Sequence, residues 1–449
     1  MRRLRVVLPA LRHPSQVVVV SFGLVIAVGT ALLLLPVSRA GSAGASVVDA
    51  LFTATSAVCV TGLISVDTPV YWSTFGHVVI LALIQIGGFG IMAMATLLVL
   101  VVSQRVGLRD RLNAAAESQA LGLGGVRGVL LGVARTSLLF EAVGAALLTT
   151  RLITAHDEAP GRALWLGVFH SVSAFNNAGF TLYSDSLMSF VEDPVVTLSI
   201  SVLVFAGALG FPVLVELHRS WRTPRSWSLH TKLVMVMMTA LFLIGTAMYL
   251  LLEWSNRRTL GPMGVLDKAV AATVLSVQPR SGGFNSVDTG ALNPETLLGT
   301  DVLMFIGAGS AGVGGGIKVT TFVVLLFVIL TEVRGDEHVT AYRRSIPREV
   351  QRQALSVALV SVAVVLASTA VLLLLTDFTL DEVLFEAISA FCTVGLSTGI
   401  TGQVGPAGHL VLTALMFVGR LGPITFASAL ALRSRPRRYE FPMERPMIG

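Results

Sequence analysis

Four short stretches share one feature, a glycine followed by Leu or Phe. They are TSAVCVTGL ending at Leu63, SAFNNAGF at Phe180, QPRSGGF at Phe284 and AFCTVGL at Leu396. Their glycines, Gly62, Gly179, Gly283 and Gly395, are 117, 104 and 112 residues apart, so one copy falls in each quarter of the chain. Ser56, Ser173 and Ser389 stand six residues before their glycine, and Phe52, Phe169 and Phe385 ten before; the third copy has Val277 and Thr273 there. No nucleophile with its base and no metal-ligand cluster recurs with them. What recurs is backbone that glycine frees from helix and lets approach an axis closely. Backbone carbonyls are ligands for a hard cation, whose dehydration costs on the order of tens of kcal/mol unless oxygens replace its water. Rings of carbonyls do this in ion-selective pores. Four equivalent contributors are enough to encircle one ion, and regular internal repetition fixes the architecture before any other feature.

The elements that must position these stretches lie in a membrane. The chain has 449 residues, 54% hydrophobic and 13% charged, where a soluble domain carries about 25% charged residues. The sequence pI near 9.8 reflects arginines confined to short loops rather than a basic patch with interleaved aromatics, which excludes nucleic acid as a partner. Cys59 and Cys392 are equivalent positions of copies one and four, and two thiols make neither a disulfide framework nor a metal site. The basic start MRRLRVVLPALRH runs into an apolar stretch long enough to remain as a helix, without a persuasive cleavage site.

Apolar spans are expected at about 16–36, 74–102, 128–153, 194–217, 233–252, 296–331, 354–376 and 408–432. Each quarter thus reads span, short motif, span. The motif segments are too short to cross about 30 Å of hydrocarbon, so they enter and leave by one face. Irregular backbone at that depth is tolerated only where it is buried in protein or lines a wet cavity. Most of the 32 lysines and arginines fall in the N-terminus, the loops between quarters and the C-terminus, whereas Asp67, Asp157, Glu158, Asp185, Asp193, Asp288 and Asp377 fall opposite. The positive-inside rule then puts both termini in the cytoplasm of a multi-pass cell-membrane protein, with the motifs opening outward. A short helix before each motif would point its negative end at an ion, and Asp49 and Glu382 suit the starts of two such helices.

On these four stretches the chain resembles the P-loops of the Ktr/Trk/HKT superfamily of potassium transporters, over nearly its whole length. The resemblance implies an all-α integral membrane fold of four pseudo-fourfold repeats, each transmembrane helix–pore loop–transmembrane helix, around a central pore. The repeats would be 16–104, 126–219, 228–334 and 350–435, with a cytoplasmic tail at 436–449. It implies a selectivity filter whose carbonyls come from Val60, Thr61 and Gly62; Asn177, Ala178 and Gly179; Ser281, Gly282 and Gly283; and Thr393, Val394 and Gly395. In this superfamily serine at the first filter glycine goes with sodium transport, so Gly62 favours potassium. The chain begins directly with the first repeat, without the extra leading helix pair of Trk-type subunits, and so looks like the membrane subunit of a Ktr system. Such subunits are homodimers controlled by a cytoplasmic nucleotide-binding ring. The arginine-rich loops could dock that ring, set topology or meet anionic membrane lipid. Nucleotide is expected only on the partner, with no covalently bound cofactor. K+ is the cargo, and sodium activation is common among relatives although no sodium site is legible.

Three further features bear on control. The tract FIGAGSAGVGGGIKVTTF carries Gly307, Gly309, Gly312, Gly314, Gly315 and Gly316. Its GxGxxG lacks the strand-first context of a nucleotide fold. Six glycines, at about 1 kcal/mol each against alanine, break a helix instead. The resemblance makes the tract an intramembrane gate with Lys318 in or near the pathway; the alternative is packing with a snorkelling lysine. Arg420, an intramembrane charge, would join that barrier or serve a structural pair. Arg280, three residues before Gly283, is expected behind the filter as support, bonded to carbonyls or to a carboxylate such as Glu386, or else acts directly in gating or selectivity. The function that follows is potassium uptake, not enzymatic catalysis. The competing reading is a secondary carrier for another small cation or solute, since carriers also use repeats and broken helices.

Overall fold

The computed structural model describes residues 14–41, 45–103, 126–342 and 344–422. The N-terminal arginines, most of the loop after the second span, Arg343, the end of the last span and the tail 436–449 lie outside the described residues.

The described chain is helical apart from one two-residue hairpin, β1 (Thr340–Ala341) with β2 (Arg344–Ser345). The first quarter holds α1 (Pro14–Leu33), α2 (Val47–Val58), the short α3 (Thr68–Tyr71) and α4 (Thr74–Ser103). The second holds α5 (Val126–His156), α6 (Pro160–Phe175), α7 (Pro194–Leu209) and α8 (Phe211–Ser220). Next come α9 (Leu229–Glu253), α10 (Val265–Val277), α11 (Pro294–Ile306) and α12 (Val319–Arg334). The last are α13 (Arg348–Leu375), α14 (Leu380–Phe391) and α15 (Gly405–Leu421).

Five of these helices are long and apolar enough to cross a membrane, or six if α7 and α8 count as one bent span. Their outward residues are apolar: Leu24 is 64% exposed, Leu243 59% and Leu374 87%. The interior, by contrast, buries Ser56, Thr61, Ser173, Asn177, Ser281 and Thr393. Apolar outside and polar inside is the arrangement lipid demands, and the chain is a multi-pass membrane protein.

The short helices α2, α6, α10 and α14 are buried along their C-terminal parts, where they carry the four motifs. Local chemistry sets where they start. Asp49 and Asp267 lie in the first turns of α2 and α10, and Thr379 with Glu382 forms a capping box on α14. Each packs against the long helix before it, α2 on α1, α6 on α5, α10 on α9 and α14 on α13. The buried Glu253 at the end of α9 ties this scaffold to α11. Its Oε1 accepts from the Asn293 N–H (2.9 Å) and the Thr296 hydroxyl (2.5 Å).

Two spans are broken, one where the sequence predicts a break and one where it reads continuous helix. The tract 296–331 divides into α11 and α12 around a loop at 307–318, as its glycines require. The expected single span 194–217 is also broken, by a 101° bend between α7 and α8. Gly210 at the bend has φ +90, and a Cβ there would lie 2.7 Å from the backbone of Ala311 and Gly312. Pro212 follows in the first turn of α8. The second break therefore makes room for the loop of the first.

Candidate ion pathway

The four motif glycines meet. A Cβ on Gly62 would lie 2.9 Å from Gly179 Cα, one on Gly179 would lie 3.0 Å from Gly283 Cα, and one on Gly283 would lie 3.3 Å from Gly395 Cα; one on Gly395 would lie 3.1 Å from Gly62 Cα. The chain of contacts closes on itself, 62 to 179 to 283 to 395 and back. No side chain larger than hydrogen fits at these points. All four also have positive φ, between +67 and +94.

The residue two places before each glycine has positive φ as well, although none is glycine: Val60 (54), Asn177 (56), Ser281 (66) and Thr393 (48). Thr61, Ala178, Gly282 and Val394 between them do not. Alternating φ sign sets successive N–H groups on one side of the strand and carbonyls on the other. Non-glycine residues in this region cost about 1–3 kcal/mol each and persist only where their surroundings hold them.

The N–H side is held from behind. Thr61, Ala178 and Val394 donate to the carbonyls of Ser56 (2.8 Å), Ser173 (2.7 Å) and Ser389 (2.9 Å). The Ser56 and Ser389 hydroxyls accept from the N–H of Gly62 and Gly395, both at 3.1 Å. Ser56 and Ser173 donate onward to the carbonyls of Leu63 (2.8 Å) and Phe180 (2.7 Å). This explains the serine six residues before three of the glycines. In the third copy Gln278 replaces it: its carbonyl takes the Gly282 N–H at 2.7 Å, and Oε1 takes the Phe284 N–H at 3.2 Å. The carbonyl side is left open. Of the carbonyls of residues 60–62, 177–179, 281–283 and 393–395, only that of Thr393 receives a hydrogen bond among the described residues.

The residues following the glycines open into a cavity of about 330 Å³, lined by all four glycines and by Asp67, Asp185, Asn285 and Ser397. Glu386, fully buried, fixes one wall. Its carboxylate accepts from the Ser397 hydroxyl, the Thr398 N–H (3.1 Å) and the Thr401 hydroxyl (2.8 Å). It therefore does not pair with Arg280, as the sequence suggested it could. Arg280 is 1% exposed, its three guanidinium nitrogens have no hydrogen-bond partner among the described residues, and Tyr249 of α9 lies within electrostatic reach of it.

The glycine-rich loop touches the residues that precede the glycines, on the side away from the cavity. A Cβ on Gly314 would meet Ser281 Cβ at 3.1 Å, and one on Gly315 would meet the Cys392 carbonyl. The loop is pinned on several sides. Gly309 and Val313 donate to the carbonyls of Ala208 (3.0 Å) and Gly207 (3.1 Å), and Gly315 N–H donates to the Ser281 hydroxyl (2.7 Å). Arg420 donates to the Val313 carbonyl, and Lys318 to the Gly314 carbonyl. Lys318 and Arg420 are close enough for their side chains to act on each other electrostatically.

The sequence reading missed one set of residues. Gly87, Gly207 and Gly419, on the helices after the turns, abut the last carbonyls of the short helices, those of Val58, Phe175 and Phe391. The F-x-G shared by Phe205–Gly207 and Phe417–Gly419 was the available signal for two of them; Gly87, after Gln85 and Ile86, carries none.

Residues 4–435 match the TrkH family model, described as a cation transport protein. The chain is 40% identical to the Ktr system potassium uptake protein B of Bacillus subtilis, over 93% of both chains. It is 37% identical to the protein of that name from Vibrio alginolyticus, over 97% of this chain and 94% of that one. The fold is similar to the crystal structure of the potassium transporter TrkH from Vibrio parahaemolyticus, with TM-score 0.72 and 18% identity over 96% of this chain and 87% of that one. Free carbonyls around touching glycines in a membrane scaffold agree with that match: the chain belongs to the TrkH family of cation transport proteins, of the Ktr type, and is a transporter rather than an enzyme.

Proposed function

We propose that the chain takes up potassium through a pore whose selectivity filter is the ring of four glycine turns. The observation that carries this is the open carbonyl side of turns whose glycines are in mutual van der Waals reach. Carbonyls at 60–62, 177–179, 281–283 and 393–395 would replace the water of one dehydrated cation. The quarters 16–104, 126–219, 228–334 and 350–435 act as pseudo-fourfold repeats around that axis. Potassium rather than sodium is supported by Gly62 and by the names of the Ktr relatives.

In this reading the loop 305–322 is the gate. Gly307, Gly309, Gly312, Gly314, Gly315 and Gly316 let it lie flat against the ring, and Lys318 and Arg420 add a charge barrier to a cation. Arg280 serves the third turn through its backbone carbonyl, which accepts from Asn177 Nδ2, rather than through its charge. Both termini are cytoplasmic, and the chain works as a homodimer under a cytoplasmic nucleotide-binding partner, as a "Ktr system" name suggests. Two broken spans also suit a carrier. Four turns opening on a single cavity favour the pore.

Potassium-limited growth of an uptake-deficient cell expressing this chain, with a nucleotide-binding partner supplied and sodium varied, tests the proposal. Growth rescue is expected. A correctly inserted chain that gives no rescue in any ionic condition overturns it.

A further inference from the structure

The side chains two residues before each glycine differ in what they reach. Val60 has no polar group, and the Thr393 hydroxyl has no partner among the described residues. Asn177 Nδ2 donates to the Arg280 carbonyl at 3.3 Å, from the second turn to the third. Ser281 alone connects two functional parts. Its hydroxyl accepts from the Gly315 N–H of the loop at 2.7 Å. It donates to the Thr393 carbonyl of the fourth turn at 2.6 Å, with a longer 3.3 Å contact to the Cys392 carbonyl. Ser281 is 1% exposed and Thr393 fully buried, so water cannot substitute freely for either bond.

We propose that Ser281 is a relay through which the position of the glycine-rich loop sets the ion affinity of the innermost ring of the filter. It is a positioning residue, and the proposal rests on reading the turns as filter and the loop as gate. The chemistry is that of a hydroxyl polarised from one side. A hydroxyl that accepts an N–H bond becomes a stronger donor, because consecutive hydrogen bonds reinforce each other. With the loop seated, the Ser281 proton is committed to the Thr393 carbonyl. That carbonyl then offers less negative charge to an ion than its counterparts on Val60, Asn177 and Ser281. When the loop leaves, the Gly315 N–H goes with it, the hydroxyl relaxes, and Thr393 regains its ligand strength. Closing the gate and weakening the lowest ion site are therefore one event, driven by one N–H.

Val60 has no polar group to play this part in the first turn, and the Asn177 amide reaches Arg280 rather than the loop. The relay is confined to the third and fourth turns, where the loop lies.

Potassium uptake into proteoliposomes holding the full chain, read as KM and maximal rate, tests the relay. Ser281→Ala removes both bonds and should lower KM by about two- to tenfold, the worth of one ordinary hydrogen bond. The same substitution should shift KM less than twofold when the loop is already released, by deleting 309–316 or, more mildly, by Arg420→Ala. Ser281→Thr, which keeps the hydroxyl, should restore the native KM; threonine already sits at positive φ at the equivalent Thr393. Should the alanine variant not insert, Ser281→Cys, close in volume and weak in hydrogen bonding, is read the same way. An unchanged KM in Ser281→Ala overturns the relay, and so does an equal shift with and without the loop. Absence of potassium flux in the native chain overturns the filter reading and the relay with it, which separates the two failures.

Discussion

In the first turn the Ser56 hydroxyl takes the Gly62 N–H, and Gly87 of a continuous helix closes behind Val58. In the third turn Gln278 Oε1 takes the Phe284 N–H, and the helix that should follow is broken into a loop that reaches back to Ser281. Both turns reach the same backbone geometry, with positive φ at the glycine and two residues before it. The ring thus needs only equal backbone, while the parts behind it are free to differ. Three turns are braced by serine and a close-packed helix; one is braced by glutamine and touched by the glycine-rich loop. On the proposed reading, selectivity is shared by all four quarters and control is placed in one.

The contrast can be broken most severely at the loop. Deleting residues 309–316 should raise potassium flux of the chain without its partner by tenfold or more, since charge-assisted hydrogen bonds such as that of Arg420 contribute about 1.5–3 kcal/mol each. Reduced flux in a folded deletion variant would mean that the third quarter is a brace like the first. Arg420→Ala alone should act in the same direction by a smaller factor, measured in the same vesicles.

The braces themselves come next. Ser56→Ala leaves the buried Gly62 N–H without its acceptor, at about 1–3 kcal/mol. Gln278→Ala orphans the Phe284 N–H in the same way. Both should lower the melting temperature in detergent by several degrees. Ser56→Ala should also lower maximal uptake, whereas Gln278→Ala should in addition alter leak without the partner, because its turn carries the loop. Equal leak in the two variants would erase the distinction between the turns.

Arg280 offers a sign test. An unpaired buried guanidinium is destabilising, and replacing such a charge with an apolar side chain of similar volume is often neutral or stabilising. Arg280→Met should therefore keep or raise the melting temperature, and any loss should fall on transport. A large fall in stability would reveal a partner that the guanidinium requires.

The smallest effect lies far from the ring. Asp193 caps α7 and accepts from Arg151 Nε and His156 Nε2, both at 2.8 Å. Burial disfavours its charge, but these donors and the Val196 N–H outweigh that and hold its carboxyl below the usual carboxylate range. A lowered folded pKa gives stability that is fully present above the unfolded value of about 3.9 and is lost as pH falls through the folded value. The native chain should lose melting temperature below about pH 4 more steeply than Asp193→Asn, with no change in ion preference at neutral pH. Parallel pH profiles would show that the pair contributes nothing.

Much of this was legible in the residues. Glycine spacing gave the four turns, hydropathy gave the five unbroken long spans, and the run Gly307–Gly316 gave the break in the third quarter. The bend at Gly210 was not, because a single glycine inside an apolar tract reads as tolerated within one span; only its contact with Ala311 makes it a seat for the loop. Nor could Arg280 be paired by sequence. Glu386 looked available, yet its oxygens are taken by Ser397, Thr398 and Thr401 from a loop just downstream. Serine at six residues before the glycine was visible as a pattern, but its meaning depended on the turn's N–H groups facing backward, which spacing does not state.

The central claim is that touching glycines set which ion passes, and Gly62→Ser tests it most directly. A Cβ there would lie 2.5 Å from the Ala178 carbonyl oxygen and 2.9 Å from Gly179 Cα, on backbone with φ +94. Uptake of potassium and of sodium should be measured side by side in native and Gly62→Ser chains inserted to the same level. The account predicts that the native chain prefers potassium and that the variant loses that preference, with sodium uptake rising relative to potassium. An inserted Gly62→Ser chain with native rate and native ion preference would contradict it.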